Sequence, residues 1–155
     1  MSWRGLVLAA CGFAAATNAS AHQALEWRQL ATPHDRDRLR GWRSAWVQAL
    51  SAAPAGDGAA AIAGDPALFD PDRSLAGALP PAGDYRCRAF KLGAIGGAQG
   101  FTVLPWGRCR IEVEGTARRL SRLDGPQRPT GLVFADTDVR AIFLGTMVFL
   151  SLIHI

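Results

Sequence analysis

The stretch Gly107-Arg108-Cys109-Arg110-Ile111-Glu112-Val113-Glu114 decides the fold class. Small or apolar residues at the odd positions alternate strictly with charged residues at the even ones. That is the period of a β-strand with one face in a core and the other in water. Upstream, Tyr85-Arg86-Cys87-Arg88-Ala89 alternates in the same way. Working outward, Tyr85–Leu92, Phe101–Leu104, Gly107–Glu114, Arg118–Leu123, Thr130–Phe134 and Val139–Leu150 all read as strands divided by Gly, Pro or Asp turns. Connections this short cannot carry parallel crossovers, so residues 85–150 form an antiparallel meander.

What precedes the strands differs in kind. Met1 to Ala21 combine Arg4, an apolar run from Leu6 to Ala16 and a closing Ala19-Ser20-Ala21. A basic start, an apolar middle and an Ala-x-Ala site make a secretory signal peptide over residues 1–21, with His22 as the mature N-terminus. Leu8-Ala9-Ala10-Cys11 also fits the pattern for lipidation of a bacterial lipoprotein at Cys11. Only six residues separate Arg4 from Cys11, which is short for such a signal, so the secretory reading is preferred. No other stretch is long and apolar enough to span a bilayer. The protein is therefore expected in the periplasm or the medium.

The chain has 155 residues, 49% of them hydrophobic, enough for one domain with a real core over 22–150. Its net charge of +4 is unevenly spread. Residues 22–84 carry −2, residues 85–122 carry +6, and residues 123–155 carry −1. The positive charge sits on one short segment of the meander.

A helix is predicted over 32–52. Thr32 suits the N-cap, Pro33 the first helical position, and Asp35 and Asp37 the positive end of the dipole. Leu39, Trp42, Trp46, Val47 and Leu50 form one apolar stripe, so the helix docks on the sheet and leaves Arg36, Arg38, Arg40 and Arg43 mostly in solvent. Residues 53–84 are a connector in which Ala67-Leu68-Phe69 packs down as an anchor. Asp70-Pro71-Asp72 is a turn whose carboxylates satisfy local backbone rather than an acid–base pair. The fold class is thus α+β.

With the leader removed, Cys87 and Cys109 are the remaining thiols. On neighbouring strands in an oxidising compartment they form one disulfide, which stabilises the fold by roughly 3 kcal/mol. Alternation then puts Tyr85, Cys87 and Ala89 with Cys109, Ile111 and Val113 on the core face. Arg86 and Arg88 lie beside Arg108 and Arg110 on the other face. Like charges facing each other destabilise a sheet by up to roughly 1 kcal/mol per pair. Glu112, Glu114, the acidic helix region or a bound anion should offset them. The strip is either a solvated face or a site for an anionic ligand or partner, since arginine suits carboxylate and phosphate.

Other constellations carry less. Gly93 to Gly100 lacks the Gly-Lys-Ser/Thr ending and following helix of a phosphate loop, so it reads as a hairpin loop. His22, His34 and His154 share no ligand spacing, and no metal or cofactor is expected. Asp136 and Asp138 flank a turn and are assigned a local role. Phe90, Phe101 and Trp106 beside basic residues are a pattern of single-strand binding surfaces, but an exported location argues against nucleic acid.

Several motifs in order resemble a bacterial family, domain of unknown function 4893. They are Asp35-Arg36-Asp37-Arg38-Leu39-Arg40-Gly41-Trp42-Arg43-Ser44-Ala45-Trp46, Gly83-Asp84-Tyr85-Arg86-Cys87-Arg88, Lys91-Leu92-Gly93 and Cys109-Arg110. Gln127-Arg128-Pro129, Gly131 and Phe143-Leu144-Gly145-Thr146 complete a match over about residues 27–146. The resemblance implies an exported bacterial protein and carries no catalytic residue with it. It also implies further strands beyond Thr146, so the chain is expected to be C-terminally truncated. Its end, Leu-Ser-Leu-Ile-His-Ile, resembles translated adapter sequence, which sets 151–155 aside as a non-native tail. A completed sheet would close into a lipocalin-like barrel, by analogy of strand order and turn spacing. The expected function is a binding or interaction module for a small ligand or an envelope protein, without catalysis. The alternative is a hydrolase-like envelope enzyme whose catalytic residues lie further on.

Overall fold

The computed structural model describes residues 26–53, 58–93 and 100–150. The expected leader with Cys11, residues 94–99 of the glycine-rich loop and the 151–155 tail lie outside them, as do His22 and His154. Among the described residues five helices come first: α1 (Trp27–Leu30), α2 (Pro33–Arg40), α3 (Trp42–Ala52), α4 (Gly58–Gly64) and α5 (Pro66–Phe69). Seven strands follow: β1 (Gly83–Cys87), β2 (Phe90–Leu92), β3 (Phe101–Val103), β4 (Gly107–Glu114), β5 (Ala117–Arg122), β6 (Gln127–Thr137) and β7 (Arg140–Phe149). The class is α+β with antiparallel pairing.

Thr32 starts α2 with a reciprocal capping box. Its hydroxyl accepts the Asp35 N–H at 3.1 Å, and the Asp35 carboxylate accepts the Thr32 N–H at 3.0 Å. The single helix expected over 32–52 is in fact two, divided at Gly41. Glycine is the poorest helix former after proline, and here its N–H caps α2 on the Asp37 carbonyl. The break divides the apolar stripe as well. Trp46 and Leu50 enter a core with Ala53, Phe69 and Phe101, whereas Leu39 and Trp42 line a separate cleft.

That core joins α3 and the 58–69 segment to the β2–β3 ribbon. The Phe69 ring lies 5.3 Å from Phe90 and 6.1 Å from Phe101, and the Trp46 indole donates to the Phe69 carbonyl at 2.9 Å. The helix therefore packs on the two-stranded ribbon, where the aromatic residues are, rather than across the larger sheet. The anchor expected at 67–69 is carried by Phe69, while Leu68 is exposed. The 53–84 connector is partly helical. Asp65 caps α5 by accepting the Leu68 N–H at 3.3 Å. Asp70 accepts the Asp72 N–H at 2.9 Å, the local turn role expected of it.

The five-stranded sheet runs in the order β1-β4-β5-β6-β7. The strand expected over 85–92 is split, because after Cys87 the chain leaves this sheet and pairs as the β2–β3 ribbon. β1 and β7 are its two edges, so the sheet is open, without the closure of a lipocalin-like barrel. The expected core face is buried only in part. Cys109 and Ile111 are buried, but Val113 is 64% exposed and Tyr85 is also exposed. β1 begins at Gly83, opposite Ile111, so Val113 has β5 beside it at Arg118 but no partner on the β1 side. Near the β7 edge, Gly131 faces Gly145, and a methyl on Gly131 would run into the Leu144 carbonyl. Only glycine allows β6 and β7 this close an approach. Among the described residues no helix is long and apolar enough to cross a membrane.

Candidate functional site

The sequence points to the disulfide and the arginine strip at β1 and β4. Cys87 and Cys109 are bonded, with Cα atoms 5.9 Å apart. Arg86 lies directly opposite Arg108, as alternation requires. The charges are settled in two ways. Arg110 faces Asp84 across the ladder and donates to it from Nε at 2.7 Å. Arg108 gives its backbone N–H and its Nε to Asp124, at 3.0 and 3.4 Å. The Arg110 hydrogen bond holds the Asp84 carboxyl below its ordinary value; burial opposes it, and the charges of Arg110 and Arg108 assist it. The Arg108 backbone N–H does most of the same for Asp124.

Arg86 and Arg88 have no ion pair among the described residues and stack on rings instead. Both guanidinium groups lie over Trp106, at 5.2 and 4.8 Å, and Arg88 is also 4.5 Å from the Phe90 ring. The balancing carboxylates are therefore Asp84 and Asp124. Of the two glutamates expected to serve, Glu114 pairs with Arg119 at 2.5 Å, while Glu112 contributes only its charge near Arg110. A depression of about 280 Å³ lies over Arg86, Arg108 and Arg110.

A larger cleft, about 850 Å³, lies at the other end of the molecule. Its walls come from α1, α2, the start of α3, the 71–75 segment and the β6–β7 turn. Leu39, Trp42, Leu75, Val139, Ile142 and Phe143 supply apolar surface, and Arg28, Arg36, Arg40, Arg73 and Arg140 supply positive charge. Five arginines from four separate segments meet here, and no sequence spacing announces it.

Behind the cleft sits Asp136, whose side chain is only 3% exposed. A β-bulge between Ala135 and Thr137 leaves it out of the ladder and turns it towards α1. Its Oδ1 accepts the Trp27 indole N–H at 3.0 Å and the Arg28 guanidinium at 3.1 Å, while Oδ2 accepts Arg140 Nε at 2.8 Å. Burial pushes this carboxyl up, but the hydrogen bond and charge of Arg140, with Trp27 and Arg28, outweigh it and hold the group below its ordinary value. Asp136 thus does more than flank a turn: it ties α1 to the β6–β7 hairpin across 109 residues and fixes two cleft arginines.

Arg122 is the second residue that sequence reasoning missed. Placed by the strand period without a role, it is buried and donates from Nε to the Asp124 carbonyl at 3.1 Å and from Nη2 to the Pro105 carbonyl at 2.9 Å. It clamps the turn that carries Asp124 and so supports the strip from beneath. No group of three or more His, Cys, Asp or Glu side chains able to hold a metal ion occurs among the described residues.

A family model described as a domain of unknown function, DUF4893, matches residues 27–151. The chain belongs to this family. The DUF4893 match begins at Trp27, the residue that binds Asp136, and it spans the disulfide, the strip and every wall of the cleft. Both sites therefore lie within the part of the chain that the DUF4893 model matches. No curated protein and no solved structure matches the chain.

Proposed function

We propose that this DUF4893 domain is an exported binding module, periplasmic or secreted, that takes a small ligand into the cleft between its N-terminal helices and the β6–β7 hairpin. The observation that carries this reading is the cleft itself, concave and largely apolar, with a few charged groups at its margin. Its chemistry supports binding without catalysis. Among the described residues that line it there is no histidine, cysteine or glutamate, and its one carboxylate, Asp72, pairs with Arg43 at 2.5 Å. Export is supported by the Met1–Ala21 leader pattern and by the Cys87–Cys109 disulfide, which suits an oxidising compartment.

The test is native mass spectrometry on protein produced with its own leader and purified gently from the periplasmic fraction. We expect a chain beginning at His22 with a small-molecule adduct, and loss of that adduct in Val139→Asp, a change on the exposed hairpin turn. A bare wild-type chain, or an adduct untouched by Val139→Asp, overturns the assignment of the cleft. Recovery of a chain that retains Met1 overturns export.

A further inference from the structure

The five cleft arginines are not equivalent. Arg28 and Arg140 share Asp136, and Arg40 pairs with Asp37. Arg36 donates from Nε and Nη2 to the Ala31 carbonyl, at 3.2 and 2.8 Å, so its partner is neutral. Arg73 makes no ion pair among the described residues. Two guanidinium charges therefore remain without a carboxylate, beside the apolar side chains of Leu75, Val139 and Phe143. Next to apolar walls such charges attract an anion more strongly than in open water. A neutral apolar ligand would leave them unanswered, and a small hydrophilic anion would leave the apolar surface wet.

Resting on the reading above, we infer that the ligand is a single-chain anionic amphiphile of the fatty-carboxylate class. Its alkyl chain lies on the Leu75, Val139 and Phe143 surface, and its head is taken by the arginines that lack a carboxylate, Arg36 and Arg73. A carboxylate suits them better than a phosphate, because Arg36 already uses two of its donor atoms on Ala31. The volume of about 850 Å³ lies in the range of small-molecule sites and leaves room for one such chain.

Isothermal titration of the processed full chain tests this with octanoate, decanoate and dodecanoate, and with dodecanol and dodecyltrimethylammonium as neutral and cationic controls. Affinity should rise by about fourfold per added methylene, the tightening that burial of each group produces. Dodecanoate should bind at least about tenfold more tightly than either control, one charge-assisted contact's worth. Arg73→Ser, which removes no bond of the fold, should weaken dodecanoate and leave dodecanol unchanged. Arg36→Ser should do the same where circular dichroism shows it folded.

Equal affinity for dodecanol and dodecanoate removes the anionic head from the inference, and equal affinity for octanoate and dodecanoate removes the chain. Tighter binding of dodecyl phosphate than of dodecanoate overturns the carboxylate class. In each of these cases the cleft still binds, so the binding-module reading stands. No heat with any probe, alongside an adduct that Val139→Asp abolishes, overturns the class alone; no heat and no adduct overturns both.

Discussion

At the disulfide end of the sheet, each arginine finds its answer within its own strand pair or the next turn: Asp84 for Arg110, Asp124 for Arg108, Trp106 for Arg86 and Arg88. At the cleft end, one buried carboxylate from a β-bulge holds guanidinium groups and an indole drawn from opposite ends of the domain. The first arrangement is a solvated face on which two arginines meet carboxylates and two stack on a ring in open solvent. The second is a concave surface kept positive, with apolar walls and two arginines still free of carboxylates. The comparison teaches that arginine content alone does not mark a site. What matters is whether the charges left without a carboxylate stand in open solvent or beside the apolar walls of a cleft.

The largest test of the comparison removes what holds the first region together. Cys87→Ser with Cys109→Ser opens a link between residues 22 apart. It should cost about 3 kcal/mol of stability by chain entropy. Urea denaturation of oxidised wild type against the double variant measures it. A loss below about 1 kcal/mol would mean that the β1–β4 pair holds without its covalent tie.

The next test strikes the second region. Asp136→Ala leaves the Trp27 indole and two guanidinium groups without their acceptor. Because Arg28 and Arg140 are more than half exposed and water can replace part of the pairing, the cost should be about 2 kcal/mol rather than that of a wholly buried pair. Asp138→Ala, two residues on in the turn, should change stability by less than about 0.5 kcal/mol. The pH dependence has a definite sign. Asp136 ionises at lower pH folded than unfolded, so its contribution is complete above the unfolded value, near roughly pH 4. It fades as the pH falls through the lower folded value. The Asp136→Ala variant should therefore lose less stability than wild type on acidification below about pH 4. Parallel curves would show that Asp136 is not the group that titrates.

These two regions also differ in how far the amino-acid sequence revealed them. β4 runs over Gly107–Glu114, the bounds that strict alternation predicted, because a period of two is local and each neighbour reports the same face. The disulfide and the Arg86–Arg108 juxtaposition followed from the same period. Val113 escaped it, because alternation says which face a residue takes but not where the strand on one side of it begins. Gly41 stood in plain sight inside the helical pattern, yet a lone glycine lowers helix stability without dictating a break. Asp136 was the least legible. Its role depends on a bulge and on Trp27, 109 residues away, and neither leaves a local pattern.

A smaller effect is expected at Trp106, which is exposed and flanked by Arg86 and Arg88. Trp106→Ala should cost about 0.5–1 kcal/mol, the range of cation–π contacts in water. It should also release Arg86, which NMR of its Nε–H would register as increased mobility, while Arg88 keeps its contact with Phe90. An unchanged Arg86 signal would show that stacking does not hold it.

The smallest effect sharpens the comparison most. Arg110 and Asp84 face each other in the ladder and form a close ion pair, yet both side chains are well exposed. Water screens such a pair, and ordering two side chains opposes the attraction that remains. Asp84 still shows the pairing, since its carboxyl is held below the ordinary value chiefly by the Arg110 hydrogen bond. In Arg110→Ser that carboxyl should titrate at higher pH, while the urea midpoint stays that of wild type. A clear pKa change with no stability change is the signature of a solvated face. If instead the midpoint fell as far as in Asp136→Ala, the strip would be a structural element in its own right. The contrast between a locally answered charge and a tertiary one would then fail at the pair chosen to represent it.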